Sequence, residues 1–190
     1  MKKVLWMAMF TLALGIGAQA NLMTNGDFNT GDLTGWWTWV PDSETQSITV
    51  QSVVAYDSSP NVLLSSATDG SWQELGQSIV CTAETLYTLD LVYNSTGWVG
   101  AGINLKFMDS GWGYIDYEWI NLLSSSSEGT GEWTPFSATF TAPAGAELVE
   151  VKLTMGGWGS LYADNVSIIP EPASLVLLGL GGLTLLKKKS

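Results

Sequence analysis

Trp36-Trp37-Thr38-Trp39 packs three indoles into four residues, and nine of the ten tryptophans lie beyond residue 20. Aromatic rings recognise sugars by packing against the apolar C–H face of a pyranose. One indole can bury ~150–250 Å², worth several kcal/mol at about 25 cal/mol/Å² before binding costs are subtracted. One or two exposed rings therefore suffice for weak glycan binding. If this stretch is extended, Trp37 and Trp39 share one face and Trp36 takes the other. A second constellation is Asp116-Tyr117-Glu118. Alternate strand positions approach the ~5–5.5 Å carboxyl separation used by retaining glycosidases. Acids two apart are also expected by chance among the 17 that fall between residues 21 and 169. The sequence is accordingly read as non-catalytic, with no catalytic residue assigned.

Other chemistries are excluded by composition. The chain has no histidine and no arginine, so Ser-His-Asp and Cys-His arrangements and His-ligated zinc cannot be built. Cys81 is the single cysteine, and its apolar neighbours Ile79 and Val80 mark it as a small buried hydrophobe. Between residues 21 and 169, Lys106 and Lys152 face 17 acids, a net charge of −15. Such a field repels phosphate backbones and excludes nucleic acid as a partner.

The elements that must position these residues are strands. Tyr87, Leu89, Leu91 and Tyr93 alternate with Thr88, Asp90 and Val92. Ile103-Leu105-Phe107, Phe136-Ala138-Phe140 and Val149-Val151-Leu153-Met155 repeat the period of two. Turn clusters separate them: TNGDFNTGD, the run Asp57-Ser58-Ser59-Pro60-Asn61, YNSTG, MDSGWG and SSSSEGTGE. No amphipathic helix is evident between residues 21 and 169. Many short alternating strands predict an all-β fold, a β-sandwich of one ordinary domain length. A sandwich without a disulfide needs large core residues, and Trp72, Trp133, Tyr87 and Tyr162 are expected to supply them.

Three stretches, NLMTNGDFNTGDLTGWWTW, ELGQSIVCTAETLYTLDLVY, and GEWTPFSATFTAPAGAELVEVKL followed by LYADNVSII, occur in order from Asn21 to Ile169. Together they resemble a carbohydrate-binding module of the galactose-binding-like jelly-roll type. The resemblance implies a jelly-roll sandwich in which Trp36 points into the core. Trp37 and Trp39 then become the ligand-binding pair. Residues 94–131 match least, and ligand-facing loops differ there in such modules, so Trp112, Tyr114 and Trp119 form a second group. The resemblance also implies a structural calcium, with Asp27, Asn29 and Asp164 at the corresponding positions. Calcium takes six to eight oxygens, so carbonyls and water would complete the shell. Asn29 stands where the family usually has Glu.

Both ends read as routing signals. Lys2 and Lys3, an apolar run from Val4 to Ala18, and Ala18-Gln19-Ala20 form a secretory signal peptide over residues 1–20, cut by signal peptidase before Asn21. At the other end, residues 173–186 are apolar apart from Ser174 and Thr184. As a helix these 14 residues rise only ~21 Å against a hydrocarbon core of roughly 30 Å, a marginal anchor. Lys187, Lys188 and Lys189 would stay cytoplasmic by the positive-inside rule. Pro170-Glu171-Pro172, the apolar helix and the lysine cluster resemble the PEP-CTERM sorting signal of Gram-negative bacteria that make exopolysaccharide, assigned here to residues 170–190. The family more often carries Arg at the basic end. The resemblance implies recognition by an exosortase-type membrane protease, transient inner-membrane anchoring, and delivery to the cell surface or matrix.

The expected function is thus that of an exported, non-catalytic protein whose module at residues 21–169 binds polysaccharide, in particular exopolysaccharide. A structural or adhesive matrix protein without a sugar site is the second reading, and a glycan-active enzyme using Asp116 and Glu118 the third.

Overall fold

The computed structural model describes residues 20–124 and 128–171. The signal peptide up to Gln19, the tail from Pro172 onward, and with them Ala18, Lys187, Lys188 and Lys189, lie outside the described residues. Seven strands follow one another: β1 (Trp37–Trp39), β2 (Gln46–Gln51), β3 (Asn61–Val80), β4 (Leu86–Met108), β5 (Tyr114–Leu123), β6 (Thr134–Thr141) and β7 (Leu148–Pro170). All pairings are antiparallel, in the order β1-β3-β7-β4-β5, with β2 added to β3 and β6 to β4. The described residues contain no helix.

Three strands are far longer than the five or six residues of an ordinary strand, because each serves two layers. Residues 61–66 of β3, 159–170 of β7 and 87–97 of β4 form one layer, edged by β2 and β6. Residues 73–80, 148–155 and 101–108 of the same strands form the other, edged by β1 and β5. The register of β3 against β7 breaks between Ser66 and Gly70 and again before Gln73. Opposite these breaks, Gly157 has φ +91, a conformation open to glycine and strained for other residues. The chain bends here and folds the sheet over onto itself.

Alternation supplies the filling. Tyr87, Leu89, Ile103, Leu105, Phe107, Val149, Val151, Leu153 and Met155 are all buried, as their period of two predicts. Rings from the two layers meet where Phe107 lies 5.9 Å from Phe140, itself stacked on Tyr87 at 5.2 Å. Cys81 is buried, and burial together with the nearby Glu147 raises its thiol pKa. YNSTG, read as a turn, instead lies within β4 where that strand bends. The local composition of a turn reflects a strand that must change layers without ending.

The amino-terminal stretch closes one end. Leu22 N–H donates to the Ile168 carbonyl (2.9 Å), and Gln77 bonds both backbone groups of Thr24 (2.7 and 2.9 Å). Trp36 turns inward, stacked on buried Phe28 with its Nε1–H on the Asn25 carbonyl at 3.1 Å. Anchoring Trp36 inside forces Trp37 and Trp39 to the opposite face.

Candidate binding face

Directly paired residues of a sheet point to the same side, so the registers define who shares the outer face of the β1-β3-β7-β4-β5 layer. One rung reads Trp37, Gly76, Lys152, Asn104, Trp119, and the next outward rung reads Trp39, Glu74, Thr154, Gly102, Asn121. Between them lies an inward rung containing buried Leu75, Leu153 and Ile103. Five strands at ~4.8 Å spacing carry this surface over about 19 Å from β1 to β5.

Its walls are indoles, and the neighbouring strand makes room for three of them. A Cβ on Gly76 would come within 2.2 Å of the Trp37 ring, one on Gly102 within 2.4 Å of Trp119, and one on Gly156 within 2.9 Å of Trp72. These glycines are seats, each holding a ring from the adjacent strand close to the sheet. Trp72 and Trp119 meet edge to face, centroids 5.6 Å apart at 89°. Together with Glu74, Asn104 and Thr154 they enclose a cleft of about 280 Å³. A second, of about 460 Å³, lies between Trp37, Trp39, Glu74, Glu150 and Lys152. Trp39 is 50% exposed, Trp72 42% and Trp119 43%, high values for rings this large.

The floor is charged but balanced. Lys152 Nζ contacts both oxygens of Glu74 at 3.0 and 3.3 Å, and Lys106 reaches Glu150 at 3.9 Å. The two lysines of residues 21–169 are thus both on this face, each beside a glutamate. The Glu74 and Lys152 side chains are mostly buried, so leaving one unpaired is costly. Lys152→Ala is expected to lower unfolding free energy by about 1–3 kcal/mol, and Lys152→Met with Glu74→Gln to recover most of the loss, as read by urea denaturation of the double-mutant cycle.

The sequence-predicted residues divide. Trp37, Trp39 and Trp119 are brought to one surface. Trp112 and Tyr114 stand at the β4–β5 hairpin, exposed, with Tyr114 five residues (~17 Å along the strand) from Trp119. Asp116 and Glu118 pair with Phe107 and Leu105, on the opposite side of β5 from Trp119, and so lie outside the aromatic clefts. Trp72, expected in the core, is exposed in the groove. The inward positions of its strand include Gln73 and Gln77, both buried. Polar residues pointing inward hide the period that would have placed Trp72 outside. Trp133 is half-buried against Tyr56 (5.6 Å) and Tyr162 (6.4 Å) near the surface, where a deep core position was expected. The signal that could have found the seats is a glycine inside an otherwise apolar-alternating strand, which marks close approach of another group.

Asp164 is fully buried on β7. It accepts from the Asn165 N–H at 2.7 Å and from the Ser59 hydroxyl at 3.3 Å. Burial pushes its carboxyl pKa up to about 6, with smaller upward contributions from the charges of Asp57 and Asp27. Asn29 donates its side-chain amide to Asp27 at 2.9 Å, orienting that carboxylate. Glu171 is tied to β4: its N–H donates to the Leu86 carbonyl at 2.8 Å, and its carboxylate accepts from the Thr88 hydroxyl. Pro170 is the last residue of β7.

Residues 20–165 match the carbohydrate-binding domain family. An endo-1,4-beta-xylanase Y of Acetivibrio thermocellus is 27% identical over 104 residues, 55% of this chain and 9% of that protein's length. Among solved structures, the enzymatically active domain of tailspike protein 4 from bacteriophage CBA120 superposes with a TM-score of 0.67 at 18% identity, over 80% of this chain and 21% of the tailspike chain. TmCBM61, solved with beta-1,4-galactotriose, superposes at 0.59 and 17% identity, over 80% of this chain and 99% of the module. At these identities the superpositions establish a shared fold, that of jelly-roll modules.

Proposed function

The chain belongs to the carbohydrate-binding domain family, and from that premise we propose that it binds polysaccharide on the outer face of the β1-β3-β7-β4-β5 layer. The observation that carries this reading is the concentration of indoles on that face, three of them seated on a glycine of the neighbouring strand. Trp37, Trp39, Trp72 and Trp119 supply stacking surfaces, and Asn104 and Asn121 supply amides between them that can bond sugar hydroxyls. The family is a non-catalytic module type. The groove carboxylates Glu74 and Glu150 each neighbour a lysine, which suits binding rather than acid–base chemistry.

Affinity electrophoresis of the purified protein through gels containing xylan, galactan, β-glucan or bacterial exopolysaccharide tests the proposal. Retardation by at least one is expected, and mobility unchanged in all would overturn it.

The routing signals complete the reading. We place the protein, exported and cut by signal peptidase, at the surface or in the matrix of a Gram-negative bacterium after exosortase-type processing around Pro170-Glu171-Pro172. The sequence motifs alone support this. The exported protein is expected to begin at Asn21 by amino-terminal sequencing, and retention of Met1 would contradict it.

Asp164, Asp27 and Asn29 would hold a structural calcium, with backbone carbonyls and water completing its shell, since the described residues contain no cluster of three or more acidic side chains placed to hold a metal ion. Asp164 is buried, Asp27 is exposed but near enough for its charge to raise the Asp164 pKa, and oxygen donors of this kind suit a hard cation. Calcium here would stabilise the sandwich and take no part in stacking. In chelator, the folded-state pKa of about 6 lies above the unfolded value, so Asp164 binds its proton more tightly when folded. Its contribution therefore falls as pH rises from about 4 through 6 and stays low above that. Calcium at ~100 Kd is expected to add about 2.7 kcal/mol, or roughly 5–10 °C of melting temperature at pH 7. Asp164→Asn should remove both the calcium gain and this pH dependence in scanning calorimetry.

A further inference from the structure

A further cleft lies past Trp72, where the strands bend, and contains two tryptophans to which no role has yet been given. Trp98 and Trp158 are direct cross-strand partners on β4 and β7. They are 43% and 48% exposed, and alternation puts them on the same outer side as Gly100, Gly102 and Thr154. With Trp72, Asp69, Gly70 and Gly156 they line a cleft of about 470 Å³. Trp72 is the shared wall, since it also lines the cleft with Trp119.

We propose that Trp98 and Trp158 form a second sugar-stacking site, continuous with the first through Trp72, so that the protein grips an internal stretch of a linear, neutral polysaccharide lying along β7. This rests on the polysaccharide reading above and extends it. From the Lys152 rung to the Trp158 rung is six residues, or about 20 Å at ~3.3 Å per residue. Both clefts are open grooves, so a chain can enter and leave without presenting an end. The charge pattern selects a neutral chain. Lys106 and Lys152 are held beside Glu150 and Glu74, and the one charged side chain lining the second cleft is Asp69. Uronate or sulfate groups would meet carboxylates with no unpaired cation beside them among the described residues.

Calorimetric titration of the purified protein with trisaccharides and hexasaccharides of β-1,4-linked xylose, galactose and glucose tests this. The wild type is expected to bind its preferred hexasaccharide about tenfold or more tighter than the trisaccharide. Trp98→Ala/Trp158→Ala should keep trisaccharide affinity within twofold and lose the gain with length. A double variant that retains the full gain would overturn the second site while leaving the polysaccharide reading intact. No binding of any of these sugars by the wild type would overturn the second site, and the polysaccharide reading falls with it only if no polysaccharide, exopolysaccharide included, retards the protein in the gels. Should the double variant melt below the wild type, Trp98→Leu and Trp158→Leu singly carry the same comparison. Both rings are about half exposed, so their replacement does not open the core.

Discussion

Trp72→Ala/Trp119→Ala is expected to weaken polysaccharide binding about 100-fold or more while leaving the fold in place. Each indole can bring ~150–250 Å² to an interface, a gross several kcal/mol at ~25 cal/mol/Å². Ordering of sugar and side chains offsets much of this, and truncation of a buried aromatic anchor typically costs about 2 kcal/mol or more. Two such losses would sum to ~4 kcal/mol, roughly 1,000-fold. The rings touch edge to face at 5.6 Å, so their losses overlap and the sum is an upper value. Stability should change little, because both rings lie on the solvent side. Trp112→Ala is the control: at the hairpin, away from the clefts, it should alter affinity less than twofold by calorimetric titration. Equal losses from Trp112→Ala and the double variant would show that the hairpin, and not the sheet face, holds the sugar.

Gly157→Val is expected to be strongly destabilising at the bend, lowering unfolding free energy by about 4 kcal/mol. The residue has φ +91, and a Cβ there would sit 2.3 Å from the Trp98 carbonyl oxygen. That oxygen belongs to a strand held on both sides, so relief requires backbone movement. Strained backbone of this kind costs ~1–3 kcal/mol, a β-branched residue is worse than most, and the clash adds to it. For a domain of this size the melting temperature should drop roughly 8–16 °C. Gly31→Ala provides contrast: φ is +75, but nothing lies within 4 Å of its Cβ, so only the conformational cost of about 1 kcal/mol applies. If urea denaturation gave Gly157→Val and Gly31→Ala the same small loss, the sheet would not depend on this glycine for its bend.

The layers of the fold were legible because apolar alternation is a local property. Ile103-Leu105-Phe107 and Val149-Val151-Leu153-Met155 name their inward faces without reference to any partner, and alternation sets Trp36 opposite Trp37 and Trp39, while the choice of Trp36 as the inward ring comes from the module resemblance. What was not legible depends on register. Trp119 and Gly102 are neighbours only because β5 pairs with β4, and Trp37 and Gly76 only because β1 pairs with β3 across 39 positions. The exposure of Trp72 is masked by buried Gln73 and Gln77, and that of Trp98 by its place beside YNSTG, which reads as a turn and lies within β4. Glycine served three purposes here, as turn, bend and ring seat, and composition alone does not separate them. The carboxylates Asp116 and Glu118 illustrate the converse: their spacing was favourable, but the pairing of β5 turned them away from the rings.

The most direct test of the account follows the indole N–H signals by ¹H–¹⁵N NMR while the protein is titrated with the polysaccharide or oligosaccharide it retains. Signals of Trp37, Trp39, Trp72 and Trp119 are expected to shift. Trp36, whose Nε1–H is held by the Asn25 carbonyl, and Trp112 and Trp133, which lie away from the clefts, are expected to stay where they are. Shifts confined to Trp112 or Trp133, with the four groove indoles unmoved at saturation, would contradict the assignment of this sheet face as the sugar-binding surface.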